Sequence, residues 1–143
     1  MAEAYKDVTA VWIDGLKFDA RGSTGEPVTI DADGHVGMGP MEMLLAGLAG
    51  CSGADVIDIL KKKRQEVTGL EIRVHGVRHS EHPMKFTAIQ ATYVVTGRNL
   101  SPEAVRRTIE LSETRYCGAS ATLRGVAKIS TRFEIHEAET LPA

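Results

Sequence analysis

The sequence predicts an α+β fold of order βββ-α-ββ-α-β, with strands paired mainly antiparallel. Three observations carry that expectation. Runs of strand-forming residues recur in six short stretches, a long apolar helix separates the first three from the next two, and the connections are short and turn-rich. No internal repeat and no long linker breaks the chain. Its 143 residues are therefore read as a single domain, 1–143, large enough to bury one core.

Residues 5–13, with Val8, Ala10, Val11, Trp12 and Ile13, form the first expected strand. Asp14-Gly15 supplies a type I′ hairpin turn, because that turn needs φ > 0 at both central positions. Leu16 to Ala20 alternates as a second strand, Arg21 to Gly25 is a loop, and Pro27 to Ile30 is a third strand. Asp31 to Gly39 has three glycines and no periodicity, so it reads as a connection. Pro40 then opens a helix expected to run to about Arg64, its last turn cationic as the helix dipole favours. Gly47, Gly50 and Gly53 lie inside it, each costing about 1 kcal/mol relative to Ala. A helix that tolerates them has another backbone packed against it, and this one reads as central and fully covered.

Leu70, Ile72 and Val74 alternate with Glu71, Arg73 and His75 as a fourth strand. Lys85 to Thr96 pairs back on it, with Ile89, Ala91, Tyr93 and Val95 on one face. Ser101-Pro102-Glu103 is a helix start combining an N-cap hydroxyl, Pro at the first position and an early acid. That second helix reaches about Arg115 and buries Val105, Ile109 and Ser112. A short helical piece, Ala119 to Leu123, leads to a last strand with Ala127, Ile129, Thr131, Phe133 and Ile135 facing inward.

Seventeen basic against nineteen acidic residues give a net charge of −2, and no basic block is interleaved with aromatics. A nucleic-acid partner is not expected. Apolar content of 43% and charged content of 25% are those of a globular domain, not a disordered chain. Met1 to Lys6 lacks the pattern of a signal peptide. The apolar stretch Met43–Leu60 is interrupted by Asp55 and Asp58, so no membrane span is read there and a cytoplasmic location is expected. In a reducing compartment two cysteines acting together cycle rather than staple.

The histidines His75, His79 and His82 sit on or beside a strand, too far apart to share a zinc ion, and read as surface residues. No residue pattern implies a metal or an organic cofactor, and Gly22 to Gly25 is a turn, not a phosphate loop. Cys51 lies about eleven residues past its helix start, beyond the reach of the dipole. On residue physics alone it is either inert packing or a nucleophile activated by a cation from another segment. Cys117 follows a helix at a break where a short helix begins. Backbone N–H groups, Arg115 and Arg124 could favour its thiolate, or it is simply structural.

The string Gly39-Pro40-Met41-Glu42-Met43-Leu44-Leu45-Ala46-Gly47-Leu48-Ala49-Gly50-Cys51-Ser52-Gly53-Ala54-Asp55-Val56 resembles the signature of the OsmC/Ohr superfamily. Glu110 to Cys117 is similar to its second cysteine motif, and the likeness extends from about Val8 to Ile135. The resemblance implies a thiol-dependent peroxidase acting on organic hydroperoxides in oxidative-stress defence. Cys51 would attack the peroxide, Cys117 would resolve the product to a disulfide, and a dithiol of unidentified nature would restore both. It also implies an intertwined homodimer, with long central helices between antiparallel sheets.

Hydroperoxide-type members use an arginine from the early strand–loop region and a glutamate near the start of the cysteine helix. Arg21 occupies the matching loop. In the pattern Asn-Pro-Glu the acid directly follows Pro; here Met41 stands there and Glu42 comes one later, about 180° around the helix from Cys51. The departure points to a separate branch. The alternative function is a non-catalytic small-ligand-binding or redox-sensing protein on the same fold.

Overall fold

The computed structural model describes residues 3–139. The elements run β1 (Thr9–Asp14), β2 (Lys17–Arg21), β3 (Val28–Asp31), α1 (Pro40–Lys62), β4 (Glu66–Arg78), β5 (Phe86–Arg98), α2 (Pro102–Leu111), a π-helical turn (Ser112–Tyr116), α3 (Gly118–Arg124) and β6 (Lys128–Glu137). This is the α+β order read from the sequence. It divides into two compact units, Met1–Leu44 and Leu45–Ala143.

The N-terminal unit holds an antiparallel sheet of order β1-β2-β3. Its first hairpin differs from expectation by one residue. Asp14 pairs with Lys17, so Gly15 and Leu16 are the two central turn residues. Of these only Gly15 is left-handed, at φ 51°. A left-handed first position followed by an ordinary second one is the type II′ pattern, not I′. The connection after β3 is ordered around buried Asp31, whose carboxylate accepts the N–H groups of Asp33 (2.9 Å), His35 (3.1 Å) and Val36 (3.1 Å). The Val36 bond leads the three in holding that carboxyl below the ordinary carboxylate range against the opposing effect of burial.

The C-terminal unit holds a second sheet of order β4-β5-β6. β4 and β5 pair antiparallel, whereas β6 returns parallel to β5, with Tyr93 opposite Phe133. Ile89, Ala91, Tyr93 and Val95 of β5 are all buried, as their alternation predicts. Val56 and Leu60 of α1 and Val105 and Ile109 of α2 pack with this face into one core. Ser101 caps α2, its hydroxyl accepting the Ala104 N–H at 3.2 Å, and Pro102 stands at the first helical position.

Helix α1 departs from the sequence reading. Its buried residues are Leu48, Ser52, Val56 and Leu60, a single stripe at spacing four. A Cβ at Gly47 or Gly50 would meet nothing within 4 Å, and one at Gly53 would meet only Ile72 Cδ1 at 3.0 Å. The helix is thus covered on one side rather than all round. By length and composition alone its 23 residues could cross a membrane. Of its buried stripe, Val56 and Leu60 pack into the core.

Candidate functional site

Cys51 and Cys117 come together within the C-terminal unit. Cys51 sits midway along α1 and is half-buried; Cys117 is buried at the N-cap of α3. Both thiols are free, and Cys51 lies near enough to Cys117 to perturb its thiol. The Ser120 N–H points at Cys117 Sγ at 3.3 Å. That donor favours a thiolate, as expected for a cysteine opening a helix, but it does not prevail. Burial comes first, with the neighbouring Cys51 adding to it, and the Cys117 thiol is pushed up to about 11. Of the two readings the sequence leaves open for Cys117, that upward push runs against the thiolate.

The π-helical turn explains how Cys117 reaches this place. The Cys117 N–H donates to the Ser112 carbonyl at 2.8 Å, a bond spanning five residues instead of four. The turn is wider than α-helix, and such insertions recur at functional sites. Expectation had α2 running on to about Arg115; regular helix ends at Leu111 and the π turn supplies the rest.

A chain of hydroxyls links α1, β5 and the π turn. Ser112 Oγ donates to Asp55 Oδ2 at 3.0 Å, Ser52 and Ser112 hydroxyls lie 3.0 Å apart, and Ser52 Oγ lies 2.6 Å from Tyr93 Oη. A serine has one proton to give, and a carboxylate only accepts. Ser112 spends its proton on Asp55 and so accepts from Ser52. Ser52 in turn accepts from Tyr93. Burial raises the Tyr93 phenol above its ordinary range, with the Ser52 bond acting the other way, so it remains a donor.

A profile described as OsmC-like protein matches residues 32–132, well over half of the sequence. The chain belongs to the OsmC-like family. Protein YhfA of Escherichia coli K12 is 36% identical to this OsmC-like chain over 125 residues, 87% of this chain and 93% of that protein. A crystal structure of a hypothetical protein from Aquifex aeolicus VF5 is 30% identical with a TM-score of 0.87, covering 96% of this chain and 100% of that one. The organic hydroperoxide resistance protein OhrB of Bacillus subtilis, 22% identical, has a TM-score of 0.62 over 92% of this chain and 98% of its own. That last likeness concerns the fold.

The remaining sequence candidates of this OsmC-like chain have definite places. Arg21 ends β2 in the N-terminal unit and is exposed. Glu42, in the first turn of α1, accepts the Gly39 N–H at 3.1 Å, the return half of a capping box. Arg115 lies over the Tyr116 ring, 5.7 Å from its centroid. Arg124 donates to the Glu113 carbonyl and to Ser120 Oγ, bracing the π turn against α3. His75, His79 and His82 are exposed, as expected. Sequence reasoning placed Ser112 and Tyr93 on inward faces but missed that they join Ser52 and Asp55. The available signal was polar side chains on two otherwise apolar stripes, which need buried partners.

Proposed function

We propose that this chain is a thiol-dependent peroxidase that reduces organic hydroperoxides. The observation that carries the reading is a half-exposed Cys51 near a buried Cys117 whose thiol burial pushes upward. That asymmetry divides the labour. The Cys51 thiolate attacks one peroxide oxygen, the O–O bond breaks, and an alkoxide leaves to be protonated as the alcohol. Cys51 is then a sulfenic acid. The sulfur of Cys117 forms a bond to Cys51 Sγ, the S–O bond breaks, and the Cys117 proton departs with the hydroxide as water. A dithiol reductant returns the disulfide to two thiols.

Arg21 is proposed to hold the attacking thiolate and the developing alkoxide, because its segment resembles the arginine-bearing region of hydroperoxide-type members. Glu42 is proposed to support that arginine while it caps α1. A homodimer is proposed as the working form, supported by the open glycine face of α1.

Stopped-flow oxidation of the reduced protein by an alkyl hydroperoxide, compared with hydrogen peroxide, tests the reading. Faster reaction with the alkyl hydroperoxide, ending in a Cys51–Cys117 disulfide and abolished by Cys51→Ser, is expected. Arg21→Met should slow the attack by roughly ten- to a thousandfold, the scale of one lost electrostatic donor. Loss of rate in Arg115→Met or Arg124→Met, but not in Arg21→Met, would move the role to those residues. Inertness of the wild type towards peroxides would hand the site to the ligand-binding or sensing reading.

A further inference from the structure

We propose that Ser112 is the positioning residue of the Cys51–Cys117 pair, gripping Cys117 through its carbonyl and the cysteine helix α1 through its hydroxyl. The proposal rests on the reading that the two thiols act together. One side of the grip is the 2.8 Å bond from the Cys117 N–H to the Ser112 carbonyl. The other side is double. Ser112 Oγ accepts from Ser52, the residue after Cys51, and donates to Asp55, both at 3.0 Å. Ser52 and Asp55 are three apart on α1 and lie on one face of it. Two bonds to one rigid helix fix the π turn against sliding and against rotation.

The serine part of the grip is also closed to water. Ser112 is fully buried and Ser52 nearly so, and Tyr93 seals the far end of the chain. Proton counting leaves one direction for every bond, Tyr93 to Ser52 to Ser112 to Asp55. Without the Ser112 hydroxyl, Ser52 loses its acceptor and Asp55 loses a donor, while the turn that presents Cys117 keeps its ties to Arg124 and Thr131 but loses these two side-chain bonds to α1. A disulfide tolerates a narrow range of separations, with Cα atoms roughly 4.4–6.8 Å apart, so a small drift of that turn is felt in pairing.

The test reads pairing itself, without peroxide. Wild type and variants are equilibrated in mixtures of reduced and oxidised dithiothreitol, and the Cys51–Cys117 disulfide is quantified by alkylation and mass spectrometry. Ser112→Ala is expected to lower the equilibrium constant for the disulfide about tenfold, which is about 30 mV in potential for a two-electron couple. Since Ser112 is buried, a second pair of variants at half-buried Asp55 guards against a folding failure. Asp55→Ala removes the acceptor and should weaken pairing three- to tenfold; Asp55→Asn keeps an acceptor oxygen and should stay within about twofold of wild type.

A folded Ser112→Ala that pairs like wild type would overturn the proposal. So would identical behaviour of Asp55→Ala and Asp55→Asn, or a wild type that forms no Cys51–Cys117 disulfide. A wild type that pairs through Ser112 yet ignores alkyl hydroperoxides would sink the peroxidase reading and leave this one standing. Hydroperoxide turnover with pairing indifferent to Ser112 and Asp55 would do the reverse.

Discussion

Cys117 shows two rules in competition at one atom. A cysteine opening a helix faces unpaired N–H groups, and here those of Ser120 and Ala119 both favour the anion. Burial opposes them and wins, with Cys51 beside it, so the thiol rises from an ordinary 9.0 to about 11. The consequence for stability has a definite sign. Below about pH 9 the thiol is protonated whether the chain is folded or not. Between about 9 and 11 the unfolded chain releases the proton while the folded chain keeps it, so stability falls as pH rises through that window. Two pKa units correspond to roughly 2–3 kcal/mol at most. Urea unfolding of reduced protein at pH 8 and pH 10.5 should show wild type losing more stability than Cys117→Ala, whose other titrating groups are the same. Equal losses in the two proteins would mean that Cys117 titrates normally when folded.

Among the elements, what local chemistry dictates was legible and what long-range pairing dictates was not. Ser101-Pro102 announced α2, and the inward face of β5 followed from alternation, because a cap and a period of two are written in adjacent residues. The parallel return of β6 beside β5 has no such local mark, since alternation is the same for either direction. The π turn was equally silent: one inserted residue changes which carbonyl Cys117 reaches without changing composition. Of the candidate site, the two cysteines were legible through the family resemblance. The hydroxyl chain was not, because its members come from α1, β5 and the π turn. Gly97, near the end of β5, is another case of hidden constraint. A Cβ there would collide with the Glu66 backbone carbonyl and with both Leu100 methyls, at 2.9 Å each. Backbone cannot swing aside as a side chain does. Gly97→Ala should therefore cost about 1–3 kcal/mol in chemical denaturation, the scale of an overpacked site. A variant as stable as wild type would show that the β4–β5 end yields easily.

At the scale of the whole molecule, α1 keeps an open face. Most of an apolar helix is left outside the core, since its buried stripe is confined to Leu48, Ser52, Val56 and Leu60. Ala49, Gly50, Gly53 and Ala54 line an open groove against Leu70 and Ile72 of β4. Small residues in a row keep a helix surface flat enough for another backbone to approach, and the proposed second copy is the simplest such neighbour. Gly50 distinguishes the covered state from the bare one by the sign of a single substitution. In an isolated chain a Cβ at Gly50 meets nothing within 4 Å, so Gly50→Ala should gain about 1 kcal/mol of helix propensity. Pressed against a partner helix, the same methyl group has no room and should destabilise the protein and its association. Sedimentation of wild type at low micromolar concentration should show a dimer, with an apolar interface above about 2,000 Å². Gly50→Ala should shift it towards monomer and lower its unfolding midpoint. A folded wild-type monomer at that concentration, together with a Gly50→Ala variant more stable than its parent, would mean that α1 carries its open face into water.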